Sequence, residues 1–173
     1  MKDHKTADVT PHNRPLWAPW RLEYITGKEQ TSHCFLCDKA NGDDVQNHVI
    51  ARGESAFVLL NTFPYNSGHL LVAPYRHVAT LTDLEEAEFT ELLQLAVRAQ
   101  AVLGHVMHPE GFNVGFNIGA AAGAGIADHV HGHIVPRWSG DTNFMPVLAD
   151  TRIVPQALDD TAGVLRDAWA SGS

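Results

Sequence analysis

Three histidines alternate in the run His129-Val130-His131-Gly132-His133-Ile134-Val135, and the two-residue period of a β-strand turns all three imidazoles to one face. Same-face neighbours on a strand stand about 6 to 7 Å apart, so the three rings can divide a reaction among them. One can hold a metal or a backbone group, one can attack, and one can carry a proton. Imidazole suits each task because its ordinary pKa is about 6.5 and its two nitrogens can differ in state. A tract that only binds metal or faces solvent is the plainer alternative. Against it, Val130, Ile134 and Val135 are apolar. They place the opposite face in a folded core, and Pro136-Arg137 reads as an abrupt end to the strand.

Immediately before the histidines, Gly119-Ala120-Ala121-Ala122-Gly123-Ala124-Gly125 carries almost no side chain. Backbone N–H groups there can approach an anion closely, although a compact turn accounts for the same composition. Another group with chemistry is Cys34-Phe35-Leu36-Cys37. In a reducing compartment this spacing suggests half a zinc site more than a disulfide. Redox pairs share the spacing, but they start a helix in a thioredoxin-like βαβ unit, and no such unit surrounds these cysteines.

The elements that must position these groups follow from hydrophobic spacing. Residues 1–14 are polar and read as a flexible arm. The aromatic segment from Leu16 to Ile25 predicts packing on the body of the protein or on a second copy. Strands are expected at His48 to Arg52, Ala56 to Leu60 and, after the turn Thr62-Phe63-Pro64-Tyr65-Asn66-Ser67-Gly68, at His69 to Ala73. Thr82-Asp83-Leu84-Glu85 matches a capping box. Behind it Phe89, Leu92, Leu93, Ala96, Ala99, Leu103 and Val106 recur at helical spacing. Phe112, Val114, Phe116 and Ile118 then alternate with Asn113, Gly115 and Asn117, a strand with one small, polar face.

Bulk properties narrow the function. The 173 residues suffice for one domain with its own core. A net charge of -8, from 12 Lys+Arg against 20 Asp+Glu, disfavours a nucleic-acid partner but leaves a small phosphorylated ligand open. No apolar run approaches the ~20 residues that cross a membrane. No apolar leader precedes the polar start, so the expected location is cytoplasmic, with no membrane partner.

With these motifs the chain resembles the histidine-triad (HIT) family of nucleotide hydrolases and transferases. The family pattern is His-φ-His-φ-His-φ-φ, with φ apolar, and residues 129–135 match six of its seven positions. Gly132 is the departure, and its missing side chain predicts looser packing on the buried face. The resemblance covers about residues 15–150 and includes the cysteine pair, Asn61, Gly68-His69, Pro74-Tyr75-Arg76-His77, Asn117 and Pro136-Arg137-Trp138. Gly140 to Val147 looks most like the bacterial branch that includes diadenosine tetraphosphate phosphorylases.

The resemblance implies roles position by position. His131 matches the nucleophile that attacks the α-phosphorus and forms a nucleotidyl-histidine. His133 matches the residue that binds the phosphate and assists the leaving group. His129 matches a structural position, which in zinc-bearing members is a ligand together with the positions of Cys34, Cys37 and His77. Asn61 matches the residue that binds ribose hydroxyls. Phe35, Leu36 and Leu59 fall where the base is sandwiched, and Asn117 and the amides around Gly123 and Gly125 fall beside the phosphates. Trp138 either caps the site or packs at a subunit contact. Zinc is expected as a structural cofactor, because four protein ligands leave no open position, with Mg2+ accompanying the substrate. His69 is expected as a structural hydrogen-bonder and His48 at the surface.

The implied activity is nucleotidyl transfer at the α-phosphorus of dinucleoside polyphosphates. Phosphate as acceptor makes the enzyme a phosphorylase, water a hydrolase. Some relatives place Ser or Gln where this chain has Gly125, which removes one donor that could orient an acceptor. A nucleoside phosphoramidase, a nucleotide-binding module without turnover and a zinc-stabilised interaction domain are the alternatives. Elements and resemblance together predict an α+β, HIT-like fold: an antiparallel sheet of about five strands with one long helix and a shorter C-terminal helix. The domain is expected over 15–150 with a helical extension at 151–173, and the family pairs such units into a homodimer or tetramer.

Overall fold

The computed structural model describes residues 34–141 and 157–172. The predicted arm, the aromatic segment from Leu16 to Ile25 and the expected domain bounds at 15 and 150 lie outside them. Helix α1 (Phe35–Asn41) precedes strands β1 (Val49–Arg52), β2 (Ala56–Leu60) and β3 (Leu70–Pro74). The long helix α2 (Glu86–Met107), strands β4 (Gly111–Phe116) and β5 (Gly132–Arg137), and helix α3 (Leu158–Ser171) follow. The strands form one five-stranded antiparallel sheet in the order β1-β2-β3-β5-β4. The fold is α+β, as the spacing predicts.

Both faces of the sheet are covered at its central strands β2 and β3. Strand β2, Ala56-Phe57-Val58-Leu59-Leu60, is buried at every residue, which accounts for its unbroken apolar run. Ala56, Val58 and Leu60 pack with Leu92, Ala96, Ala99 and Leu103 of α2 and with Ala162, Leu165 and Trp169 of α3. Phe57 and Leu59 point the other way, into a second cluster with Leu71, Ala73 and Leu36 of α1. The short α1 therefore lies on the face that carries the histidines.

Two boundaries differ from the sequence expectation. Thr80 and Asp83 form a capping box around a short 3-10 turn, Leu81–Asp83, and α2 has its own box, Glu85 with Glu88. The helix thus starts three residues later than the Thr82-Glu85 motif suggests. Strand β5 runs through Pro136 and Arg137, where an end is predicted. Its ladder with β3 involves only Gly132 to Ile134, so the missing N–H of Pro136 interrupts no bond on that side.

His48 departs from the expected surface role. Its backbone is left-handed, with φ 54°, and its Nε2 meets Asp159 of α3 at 2.8 Å. The C-terminal helix is also held by Arg98, which donates to the Trp169 carbonyl at 2.8 Å with its guanidinium 4.5 Å from the Trp169 ring centre.

Gly132 is a correction of a different kind. A Cβ built there would lie 2.9 Å from the Phe116 ring and 3.0 Å from Val72. The space that the family pattern gives to an apolar side chain is filled by Phe116 from the neighbouring strand, so packing is tight. Gly132→Val is expected to destabilise the fold by about 2 kcal/mol through overpacking. Phe116→Ala in the same chain should recover part of this, a coupling that urea unfolding of the two single variants and the double variant would measure.

Candidate active site and metal centre

The histidines hold their alternation, but the ladder does not reach all of them. His129 and His131 precede β5. They are kept extended by the Val130 N–H bond to the Val78 carbonyl at 2.7 Å. His129 is buried, His131 is 4% exposed and His133 is half-buried.

Hydrogen bonds fix which nitrogen of each ring carries the proton. His131 Nδ1 lies 2.8 Å from the His129 carbonyl, which can only accept, so Nδ1 is protonated and Nε2 keeps its lone pair. For His133 the chain of reasoning begins at Tyr65. The Tyr65 backbone N–H donates to His69 Nδ1 at 3.1 Å, so the proton of His69 is on Nε2. That Nε2 faces His133 Nδ1 at 3.0 Å and donates to it, which leaves the His133 proton on Nε2. The latter atom is buried and, among the described residues, has no hydrogen-bond partner. The rings of His131 and His133 meet edge to face with centroids 5.0 Å apart. One ring thus presents a lone pair and its neighbour a proton.

Electrostatics keep both rings neutral. Burial lowers the pKa of His131 below 6.5 despite the bond to His129. Burial, with repulsion from His131 second, lowers His133 to about 4. At neutral pH the lone pair on His131 is available for attack.

Other expected site residues are placed unevenly. Gly115, the β4 partner of His133, has nothing among the described residues within 4 Å of its Cβ position, so there the sheet is open beside His133. Asn117 follows β4 half-buried. Asn61 folds into its own turn, accepting from Phe63 N–H at 3.0 Å and placing Nδ2 3.2 Å from His69 Nδ1. The Gly/Ala run contains a 3-10 turn, Ala120–Ala122, and the Gly123 N–H is used there, on the Ala120 carbonyl at 3.0 Å. Leu36 and Leu59 are fully buried while Phe35 is exposed, so Phe35 is the one of the three that a base could reach without rearrangement. The backbone of Trp138 is anchored on Asp141 at 3.1 Å just past β5. Tyr65 was not singled out by the sequence, although an aromatic ring in a polar turn before His69 was a visible signal.

Cys34, Cys37, His77 and His129 come together, as the resemblance implies. Their four ligand atoms lie within 4.8 Å of one another. His129 Nδ1 is 3.3 Å from Cys34 Sγ and 3.5 Å from Cys37 Sγ, and His77 Nδ1 is 3.3 Å from Cys37 Sγ. Ligands of a tetrahedral zinc ion, at about 2.0 to 2.3 Å from the metal, stand roughly 3.3 to 3.8 Å apart; these three separations fall in that range, and the cluster as a whole could hold such an ion. His129 Nε2 donates to the Pro74 carbonyl at 2.9 Å. That outer bond leaves Nδ1 as the lone-pair atom facing the sulfurs.

Comparison with known proteins agrees with the geometry. The family model described as HIT domain matches residues 43–140, a span that holds the three histidines, His69 and His77 but not the cysteines. The chain is 39% identical over 163 residues to a Mycobacterium tuberculosis protein named AP-4-A phosphorylase, covering 90% of this chain and 84% of that protein. It is 30% identical over 129 residues to an asymmetrical bis(5'-nucleosyl)-tetraphosphatase of Schizosaccharomyces pombe, covering 75% of this chain and 67% of that one. In structure it resembles a Zn-bound histidine triad family protein from Mycobacterium smegmatis, with a TM-score of 0.64, 24% identity, and coverage of 81% and 95%. With the triad inside the matched span and the likeness running over most of its length, this chain belongs to the HIT domain family.

Proposed function

We propose that the chain is a nucleotidyl transferase that splits dinucleoside polyphosphates at the α-phosphorus and passes the nucleotidyl group to inorganic phosphate. The observation that carries this reading is the opposite state of two adjacent imidazoles, a lone pair on His131 Nε2 and a proton on His133 Nε2. In the first step His131 Nε2 bonds to the α-phosphorus and the bond to the leaving oxygen breaks. His133 keeps its proton and donates the Nε2–H as a hydrogen bond to that oxygen, steadying the negative charge that builds there. In the second step an oxygen of the phosphate dianion attacks the nucleotidyl-histidine, the P–N bond breaks, and its electron pair returns to His131 Nε2. Diadenosine tetraphosphate then yields ATP and ADP. The likeness to the Mycobacterium tuberculosis AP-4-A phosphorylase supports this substrate and acceptor.

Cys34, Cys37, His77 and His129 would hold a zinc ion with a structural role, since all four positions belong to the protein. Mg2+ accompanies the polyphosphate. Among the described residues no helix is long and apolar enough to cross a membrane. The reading places the enzyme in the cytoplasm as a homodimer or tetramer.

Water as acceptor is the second reading. One observation favours it: the Gly123 amide is already bonded to Ala120, so one donor expected for a second anion is spent. Incubation with diadenosine tetraphosphate, with and without phosphate, separates the two. Phosphate is expected to lower AMP and raise ADP beside a constant yield of ATP. An AMP yield independent of phosphate up to tens of millimolar, far above the usual ~1 µM to 1 mM of KM values, would make the enzyme a hydrolase.

A further inference from the structure

The state of His133 depends on what covers it. The Tyr65 ring stacks on His69, with centroids 4.8 Å and planes 27° apart, and continues to His133 at 5.8 Å and 28°. Tyr65 is 50% exposed and belongs to neither apolar cluster, so core packing does not explain an aromatic ring here. Its loop is fastened down. Asn66 Nδ2 donates to the Pro136 carbonyl at 3.1 Å and to Asp141 at 2.8 Å. Asp141 in turn is held by Arg137 at 2.6 and 2.8 Å and by the Trp138 N–H. The ring therefore stands as a partition between solvent and the His69–His133 hydrogen bond.

We propose that Tyr65 is a positioning residue for the hydrogen-bond donor: laid across His69 and His133, its ring keeps water from their hydrogen bond, so that the donor nitrogen of His133 meets a leaving oxygen and not solvent. The inference rests on His133 assisting the leaving oxygen of the proposed reaction as a hydrogen-bond donor. Among the described residues the titratable groups facing His133 are His131 just ahead of β5, His69 ahead of β3, and Tyr65 itself. Its ladder partners, Leu71 of β3 and Gly115 of β4, bring no charge. Burial is the larger cause of the depressed His133 titration, and Tyr65 is the aromatic part of that cover. A tyrosine face also attracts an imidazolium, but at 5.8 Å this is at the edge of the ~6 Å range of such contacts. Exclusion of water outweighs it.

Tyr65→Ala and Tyr65→Phe in the full chain test the proposal. Imidazole titration by NMR, with the His133 signal identified by its loss in His133→Gln, should show wild type and Tyr65→Phe alike. In Tyr65→Ala the His133 midpoint should rise by about one unit or more toward the ordinary histidine value. The same variant should lose about tenfold in kcat, less than the ~10²–10³ that outright loss of a preorganised donor costs, with KM nearly unchanged and the acid limb of the pH profile moved upward. An unmoved His133 midpoint in Tyr65→Ala overturns the proposal, as does a moved midpoint with kcat intact. If wild type turns over no dinucleoside polyphosphate while the midpoint still moves, the reaction is misassigned and the shielding stands.

Discussion

Replacing His131 by Asn is expected to lower turnover by more than about 10⁴-fold, in line with the loss of a nucleophile elsewhere, while nucleotide affinity stays within about threefold. The asymmetry follows from the geometry. His131 is almost wholly enclosed and offers a substrate one atom, Nε2, because its Nδ1 is bound to the His129 carbonyl. Removing that atom removes the attack and little contact area. An Asn amide keeps a donor for the same carbonyl, so the extended path from His129 to His133 should persist. Single-turnover assays give the rate, and equilibrium binding of AMP gives the affinity. Labelled substrate should leave an acid-labile nucleotidyl group on wild type and none on the variant. A variant with near-normal rate, or a wild type that never becomes labelled, would remove His131 from the role of nucleophile.

The second large effect is expected at the metal centre. Cys37→Ser should lose the ion and lower the melting temperature by at least about 6 °C, which at 2–4 °C per kcal/mol for a chain of this size corresponds to a few kcal/mol. Cys37 Sγ approaches both His77 and His129, so its loss loosens the joint between α1, the segment after β3 and the approach to β5. His129 links this centre to the chemistry. Its ring faces the sulfurs and the Pro74 carbonyl, and its own carbonyl receives His131. Metal analysis of protein prepared without chelators should find about one zinc per chain. No zinc in wild type, or an unchanged melting temperature in the variant, would leave the cysteines as reduced packing residues.

What the sequence discloses and what it withholds divide along range. Alternation at residues 129–135 survives as extended backbone even where the ladder is absent, because side-chain direction depends on local dihedrals and not on a partner strand. The helix spacing from Leu92 to Leu103 is similarly local, and it reappears as the buried stripe of α2. The loss of one φ residue at Gly132 could not be judged locally. Its compensation is Phe116, which arrives only when β4 lies beside β5. Leu36 and Leu59 illustrate the same limit: their types suit a base pocket or a core, and only the closure of α1 over the sheet decides how deeply they sink. The amide of Gly123 is spent by a turn whose composition reads equally well as an open loop. Tyr65 gains its place through His69 and His133, and the latter lies far along the chain.

The strand order has a consequence for synthesis. Strand β5, the last of the described strands to leave the ribosome, is inserted between β3 and β4, and among the described residues β4 has no other neighbour in the sheet. Until residue 137 has emerged, β4 waits without a ladder, and the β3 edge that β5 will occupy is bare. Sheet closure is a late, long-range event of the kind that slows folding and leaves open edges exposed meanwhile. The segment that completes the sheet is the one that delivers the histidines. A nascent chain therefore closes its sheet and sets His133 between its neighbouring strands in the same event, before α3 emerges to cover the other face.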